Sequence, residues 1–116
     1  MKRDGRIMDI RTSYSSGKLT VRLSGELDHH GARSAADRIG EALEEYLPRD
    51  CAIDMSELAF MDSSGIALVL NISRRMNRMG GRAWVENPAA QPLRVLDASG
   101  IDRLVPVAAA EKGVRG

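Results

Sequence analysis

Asp62-Ser63-Ser64-Gly65 places two hydroxyls beside a carboxylate, between the apolar run Leu58-Ala59-Phe60-Met61 and a helix-like apolar pattern. A serine at a strand-to-helix junction is open to the chemistry of another protein. The first helical turn has unpaired N–H groups and a partial positive charge, so the backbone there tolerates a phosphate. Two readings follow. In the simpler one, Asp62 or a serine accepts an orphan N–H as an N-cap, worth about 1 kcal/mol. In the other, Ser63 is a reversible phosphoacceptor. Phosphorylation adds about −1.5 to −2 charges and strong acceptor oxygens. The helix dipole offsets part of that charge and Asp62 opposes it. The internal change is then small and the change in surface potential large. A partner presenting a carboxylate or a tight apolar surface there would be blocked.

Asp28-His29-His30 is the second titratable group. The chain has only these two histidines and one cysteine, too few for a conventional zinc ligand set, so no metal is expected. Serine, histidine and aspartate are all present. Yet there is no G-x-S-x-G elbow, and adjacent residues do not form a triad. The remaining readings are a solvated loop whose Asp28 caps the next helix, or a docking surface. Loops at the carboxyl ends of parallel strands gather on one edge, which would bring this loop near Ser63. Gly80-Gly81 and Ser99-Gly100 lack the spacing and lysine of a phosphate-binding loop. Met61 is expected to be exposed beside Ser63, the other methionines to fill the core.

Periodicity supplies the elements that must carry these residues. Residues 7–14 alternate loosely, Ser15-Ser16-Gly17 reads as a hairpin turn, and Lys18–Ser24 alternates cleanly. A polar connection over 25–31 leads to a helix over 32–47 with a stripe through Ala35, Ile39 and Leu43, ended by Pro48. Cys51–Met55 reads as a short buried strand, with a connection through Leu58 to Asp62. A second helix runs from about Ser64 to Met79, its last turns loaded with Arg74, Arg75 and Arg78, where cations suit the dipole. Gly80-Gly81 stops it. Arg82–Val85 is a strand, and Asn87-Pro88 reads as an N-cap and first-turn proline for a third helix ending near Ala98. Leu104–Val107 is a candidate last strand. The order β-β-α-β-α-β-α, with a possible closing β, predicts an α/β fold: a mixed sheet with an N-terminal antiparallel hairpin and crossover helices packed on it. The 116 residues suit one domain, with a core over about 8–107 and a frayed tail over 108–116.

Composition bounds the function. Hydrophobic residues make up 43% and charged residues 28%, the proportions of a globular chain. A net charge of +1 and an aromatic content of 3% argue against nucleic-acid binding, which needs a basic surface or stacking platforms. Cys51 is the single cysteine, so no intrachain disulfide forms; it is expected to be an inert core residue in a reducing compartment. Met1–Arg6 is charged and no apolar signal segment follows, and no run approaches a membrane span. A cytoplasmic protein is expected.

Leu23-Ser24-Gly25-Glu26-Leu27-Asp28-His29-His30, Ile53-Asp54-Met55, Leu58 through Gly65, Met79-Gly80-Gly81 and Leu96-Asp97-Ala98-Ser99-Gly100-Ile101 occur in the order expected of a STAS domain. Over about residues 8–107 the chain most resembles the bacterial anti-sigma factor antagonists, of the sporulation type. That resemblance implies a binding protein with no catalysis and no cofactor of its own. It implies that Ser63 is phosphorylated by an anti-sigma factor serine kinase, which carries the ATP. The unphosphorylated form would bind that kinase and free a sigma factor, and a serine phosphatase would restore it. Asp28 matches the family's acidic residue near the acceptor. Asp28, Met61, Asp62, Ser64 and Gly65 are the expected partner-binding residues, with neither nucleic acid nor membrane as partner. The alternative within the family is a scaffold or accessory subunit of a sensory or transport complex whose phosphoacceptor is unused. One departure from the pattern is Ala67, where many members have a second glycine; it should stiffen the first helical turn.

Overall fold

A computed structural model describes residues 7–109. The expectations of a charged N-terminal segment over 1–6 and of a frayed tail over 110–116 lie outside the described residues. The elements are β1 (Asp9–Ser15), β2 (Lys18–Leu27), α1 (His29–Tyr46), β3 (Asp50–Met61), α2 (Ser63–Arg78), β4 (Arg82–Glu86), α3 (Ala90–Ser99), a 3-10 turn (Ile101–Arg103) and β5 (Val107–Ala108). They build one sheet in the order β1-β2-β3-β4-β5, antiparallel between β1 and β2 and parallel elsewhere. The mixed α/β sheet with its opening hairpin is the architecture the sequence implies.

Alternation decides the two faces of the sheet. Leu19, Val21 and Leu23 of β2 and Cys51, Ile53 and Met55 of β3 are buried beneath α1 and α2, together with Ile39 and Leu43 of α1 and Val69, Ile72 and Met76 of α2. The opposite positions form charged rows in register: Lys18, Asp50 and Arg82, then Arg22, Asp54 and Glu86. Cys51 is buried, and burial pushes its thiol up to about 12, so it is inert.

Several boundaries differ from the sequence reading. β3 is not a short strand ending at Met55 but runs on to Met61. Its pairing with β2 slips twice, between Arg22 and Ser24 and between Gly25 and Glu26, each slip admitting an extra β3 residue. Asp54 pins the first slip. Its Oδ1 accepts the Ser56 N–H at 2.9 Å and its Oδ2 faces the Arg22 guanidinium at 3.2 Å. Gly25, at φ 89, marks the second, and a Cβ there would lie 2.4 Å from the Ile7 carbonyl oxygen. The expected polar connection over 25–31 is therefore the end of β2 followed by the first turn of α1. Asn87-Pro88 does not cap α3. Asn87 is left-handed at φ 50, Ala89 is the N-cap without a side-chain bond, and the helix begins at Ala90. The last strand is Val107–Ala108 rather than Leu104–Val107. Leu104 closes the 3-10 turn and is 71% exposed, and Ala108, assigned to the tail from sequence, pairs with Glu86.

Candidate functional site

β2 and β3 end side by side, with Leu27 opposite Met61, and the Asp62 N–H donates to the Leu27 carbonyl at 3.2 Å. Each strand then turns into a helix through the same device. Asp28 (φ −107, ψ −171) and Asp62 (φ −107, ψ −168) are extended N-caps. Asp28 Oδ1 accepts the Gly31 N–H at 3.0 Å, and Asp62 Oδ1 accepts the Ser64 N–H at 2.8 Å. Both caps satisfy amides that the helix cannot pair for itself. The chain thus repeats Asp-x-x-Gly on one edge of the sheet, as Asp28-His29-His30-Gly31 and Asp62-Ser63-Ser64-Gly65. The Gly31 amide holds the Asp28 carboxyl below its ordinary value against a smaller opposing effect of burial, with the His30 and His29 imidazoles adding to the lowering.

Ser63 is the first helical residue of α2 and is exposed. Its hydroxyl has no hydrogen-bond partner among the described residues, since the cap is the Asp62 carboxylate. The matching position of α1 is His29, also exposed, with its ring 4.2 Å from that of His30. Between the helices, beside Ser64, runs a mostly apolar groove of about 320 Å³ lined chiefly by His29, Ala32, Ala36, Ser64, Ala67 and Leu68. Asp28, Asp62 and Ser64 are half-buried, and Ser64 lines the groove. These residues and Ser63 come together as the spacing implies.

Two other expected contact residues do not face outward. Met61 is 0% exposed. Phe60 and Met61 alternate, and the register of β3 turns Met61 into the core. Gly65 is buried against it. A Cβ at Gly65 would lie 2.3 Å from Met61 Cγ and 3.2 Å from Leu27 Cδ2. Both residues shape the junction from beneath. Gln91 was not foreseen. Its Oε1 accepts the Met61 N–H at 2.8 Å and its Nε2 donates to the Met61 carbonyl at 3.1 Å, so α3 clamps the last residue of β3 two positions before Ser63. The sequence signal for it is faint: an amide side chain in the first turn of an amphipathic helix. Among the described residues no group of three or more His, Cys, Asp and Glu is placed to hold a metal ion, and no helix is long and apolar enough to cross a membrane.

Residues 9–113 match the model of the STAS domain family. The chain is 33% identical over 100 residues to an anti-sigma F factor antagonist of Paenibacillus polymyxa, covering 86% of each protein. Its fold superposes on the anti-sigma factor antagonist SpoIIAA in its unphosphorylated form with a TM-score of 0.75 at 28% identity, over 87% of this chain and 89% of that one. The Bacillus cell fate determinant SpoIIAA in the phosphorylated form superposes with a TM-score of 0.67 at the same 28% identity, over 87% and 92% of the two chains. A relative above 30% identity that spans most of both chains, a family match over nearly the whole length and a shared fold agree, and the chain belongs to the STAS domain family, among its anti-sigma factor antagonists.

Proposed function

We propose that this protein is a phosphorylation-switched binding module that acts in the cytoplasm. Unphosphorylated, it binds an anti-sigma factor serine kinase and so releases a sigma factor. Phosphorylated on Ser63, it lets go, and a serine phosphatase resets it. It performs no catalysis itself; the kinase supplies ATP and the transfer chemistry. The observation that supports this reading most is the exposed, unpartnered Ser63 hydroxyl on the first turn of α2, with the cap bond already taken by Asp62. That hydroxyl is available without breaking the fold. A phosphate there meets the helix N-terminus, which favours it, and the Asp62 carboxylate, which does not. Its strongest effect falls on a partner seated over Ser63 and the neighbouring groove, which would have to desolvate a dianion. The names of the relatives, and a solved SpoIIAA in each phosphorylation state, support the same reading.

The test is mass spectrometry after incubation with ATP and a cognate anti-sigma kinase. The expected result is one phosphate, on Ser63, and none in Ser63→Ala. Ser63→Ala should keep binding the kinase in the presence of ATP, and Ser63→Asp should bind it weakly. Phosphate mapped only to other residues would reassign the site.

A further inference from the structure

The seam between α1 and α2 is bridged by charge at one end only. At the end far from Ser63, the Arg75 guanidinium crosses from α2 to Glu44 of α1 at 3.4 Å. It lies so close over Gly40 that a Cβ there would meet Nη1 at 2.7 Å. At the other end lies the groove beside Ser64, and exposure sorts its lining into a floor and two rims. Ala32, Ala36 and Ser64 are half-buried and Leu68 is buried, whereas His29 and Arg33 of α1 and Ala67 and Asn71 of α2 are exposed. Arg33 follows His29 by four residues and Ser63 precedes Ala67 by four, so each pair shares a helix face. Ser63 thus continues the α2 rim at the mouth of the helix. The two helices start level, because Leu27 pairs with Met61 and the caps share their torsions. Helical side chains lean toward the N-terminus, so the Arg33 stem runs back toward the level of His29 and Ser63. Yet Arg33 has no ion pair or hydrogen bond among the described residues, and Asp37, one turn on, does not pair with it. The groove lining contains no acid. The two carboxylates near its mouth, Asp28 and Asp62, each cap a backbone amide.

We propose that Arg33 is the internal receptor of the Ser63 phosphate. Once Ser63 is phosphorylated, the guanidinium crosses the groove and binds the phosphate, with the His29 imidazole as a neighbouring donor. The clasp covers Ala32, Ala36 and Leu68. This rests on Ser63 as the phosphoacceptor and adds how release occurs: the phosphate closes the apolar floor from within, besides repelling a partner from without. Phosphate supplies the acid that α2 lacks at this end, as Glu44 supplies the acid at the other. Arginine binds phosphate through two parallel bonds, and such charge-assisted bonds are the stronger kind. Packed helices lie about 8–10 Å apart, a gap that an arginine from one and a phosphoserine from the other span together. Asp28 and Asp62 oppose the phosphate, so its receptor must be a full cation, which arginine always is.

Phosphoserine installed at position 63 by genetic encoding tests this without any kinase. The comparison variant is Arg33→Gln, an exposed change between good helix formers. Phosphorus NMR follows the second ionisation of the phosphate, about 6 when free. A facing cation favours the dianion, so the midpoint should lie about half a pH unit lower in the parent than in Arg33→Gln. Arg33→Lys, a cation without the fork, should fall between them. The Arg33 Nε–H signal should shift when Ser63 is replaced by phosphoserine. Equal midpoints with an unmoved Arg33 Nε–H would overturn the proposal and leave the phosphate to the helix N-terminus alone. Closure of the groove is read by binding to a cognate anti-sigma kinase. Phosphoserine should weaken that binding several-fold less in Arg33→Gln than in the parent, and equal weakening would overturn the closure. If the kinase does not bind the unphosphorylated parent, the function proposed for Ser63 fails instead, and the NMR measurements alone decide the clasp.

Discussion

Asp28-His29-His30-Gly31 and Asp62-Ser63-Ser64-Gly65 are the same backbone built twice. They have matching cap torsions, adjacent parallel strands and helices that start on one edge. A capped helix N-terminus is therefore not what singles out a site in this molecule. The difference lies in what stands at the first helical position, an imidazole at His29 and a hydroxyl at Ser63, and in how tightly the turn is held from below. Around Gly65 the core leaves no room, whereas a Cβ at Gly31 would meet Met8 Cβ at 3.4 Å, an ordinary contact. The serine junction is locked against Met61 and Leu27, and the histidine junction is loose.

The glycines break or confirm this contrast most directly. Gly65→Ala forces a buried methionine to move and should destabilise the protein by about 1–3 kcal/mol, the usual cost of overpacking. Gly31→Ala has space and removes a poor helix former, so it should be neutral or stabilising by up to about 1 kcal/mol. Urea unfolding of the two variants reads the difference. Equal effects would mean that the junctions are equally packed.

The second test concerns the slip in β3 that brings Leu27 and Met61 level. Asp54 is 6% exposed. Burial pushes its carboxyl up, but the Ser56 N–H and hydroxyl and the Arg22 guanidinium outweigh that and hold it below the usual carboxylate range. Asp54→Ala leaves the Ser56 amide and part of the Arg22 fork without a partner and should cost about 1–3 kcal/mol. The sign with pH follows from the lowered value. Asp54 stabilises the fold fully above the carboxylate range of the unfolded chain, and this contribution fades as pH falls through the folded value. The variant should therefore lose less stability on acidification than the parent, as measured by urea midpoints from neutral to acid pH.

Much of this architecture is legible in the residues, because alternation in β2 and the apolar stripes of α1 and α2 follow the periods that burial imposes. The misreadings have local causes. Ser56 and Glu57 are exposed inside the bulged stretch of β3, so the strand reads as ending at Met55. His29, His30 and Gly31 are weak helix formers, so the first turn of α1 reads as loop; the Asp28 side-chain cap and the Ala32 N–H on the Asp28 carbonyl close it as helix. Asn-Pro imitates a cap and first turn, but here Asn87 adopts the left-handed conformation and α3 starts later. At the candidate site the hydroxyl, carboxylate and cap are visible as residue types. The inward turn of Met61 depends on the register of β3, and the clamp by Gln91 binds backbone, which no side-chain pattern reveals.

The caps themselves separate the junctions by less. Removing either carboxylate, in Asp28→Ala or Asp62→Ala, should cost about 1 kcal/mol in urea unfolding. The lowered Asp28 carboxyl contributes stability above the carboxylate range of the unfolded chain and loses it as pH falls through the folded value, so Asp28→Ala should also flatten the acid limb.

A last comparison asks whether a kinase reads only a hydroxyl on a capped first turn. His29→Ser, made in the Ser63→Ala background, puts a hydroxyl at the position of α1 that matches Ser63, behind a cap of nearly the same torsions. If cap and hydroxyl suffice, phosphate should move to position 29. The two junctions are supported differently, however, since Gly65 is wedged against Met61 and α3 clamps Met61 through Gln91. Presentation of a hydroxyl to another protein's active site is sensitive to displacements of about an ångström. The expected result is no detectable phosphate at position 29 by mass spectrometry, with labelling of the His29→Ser single variant confined to Ser63. Phosphate at position 29 would show that the packing beneath Ser63 serves stability alone.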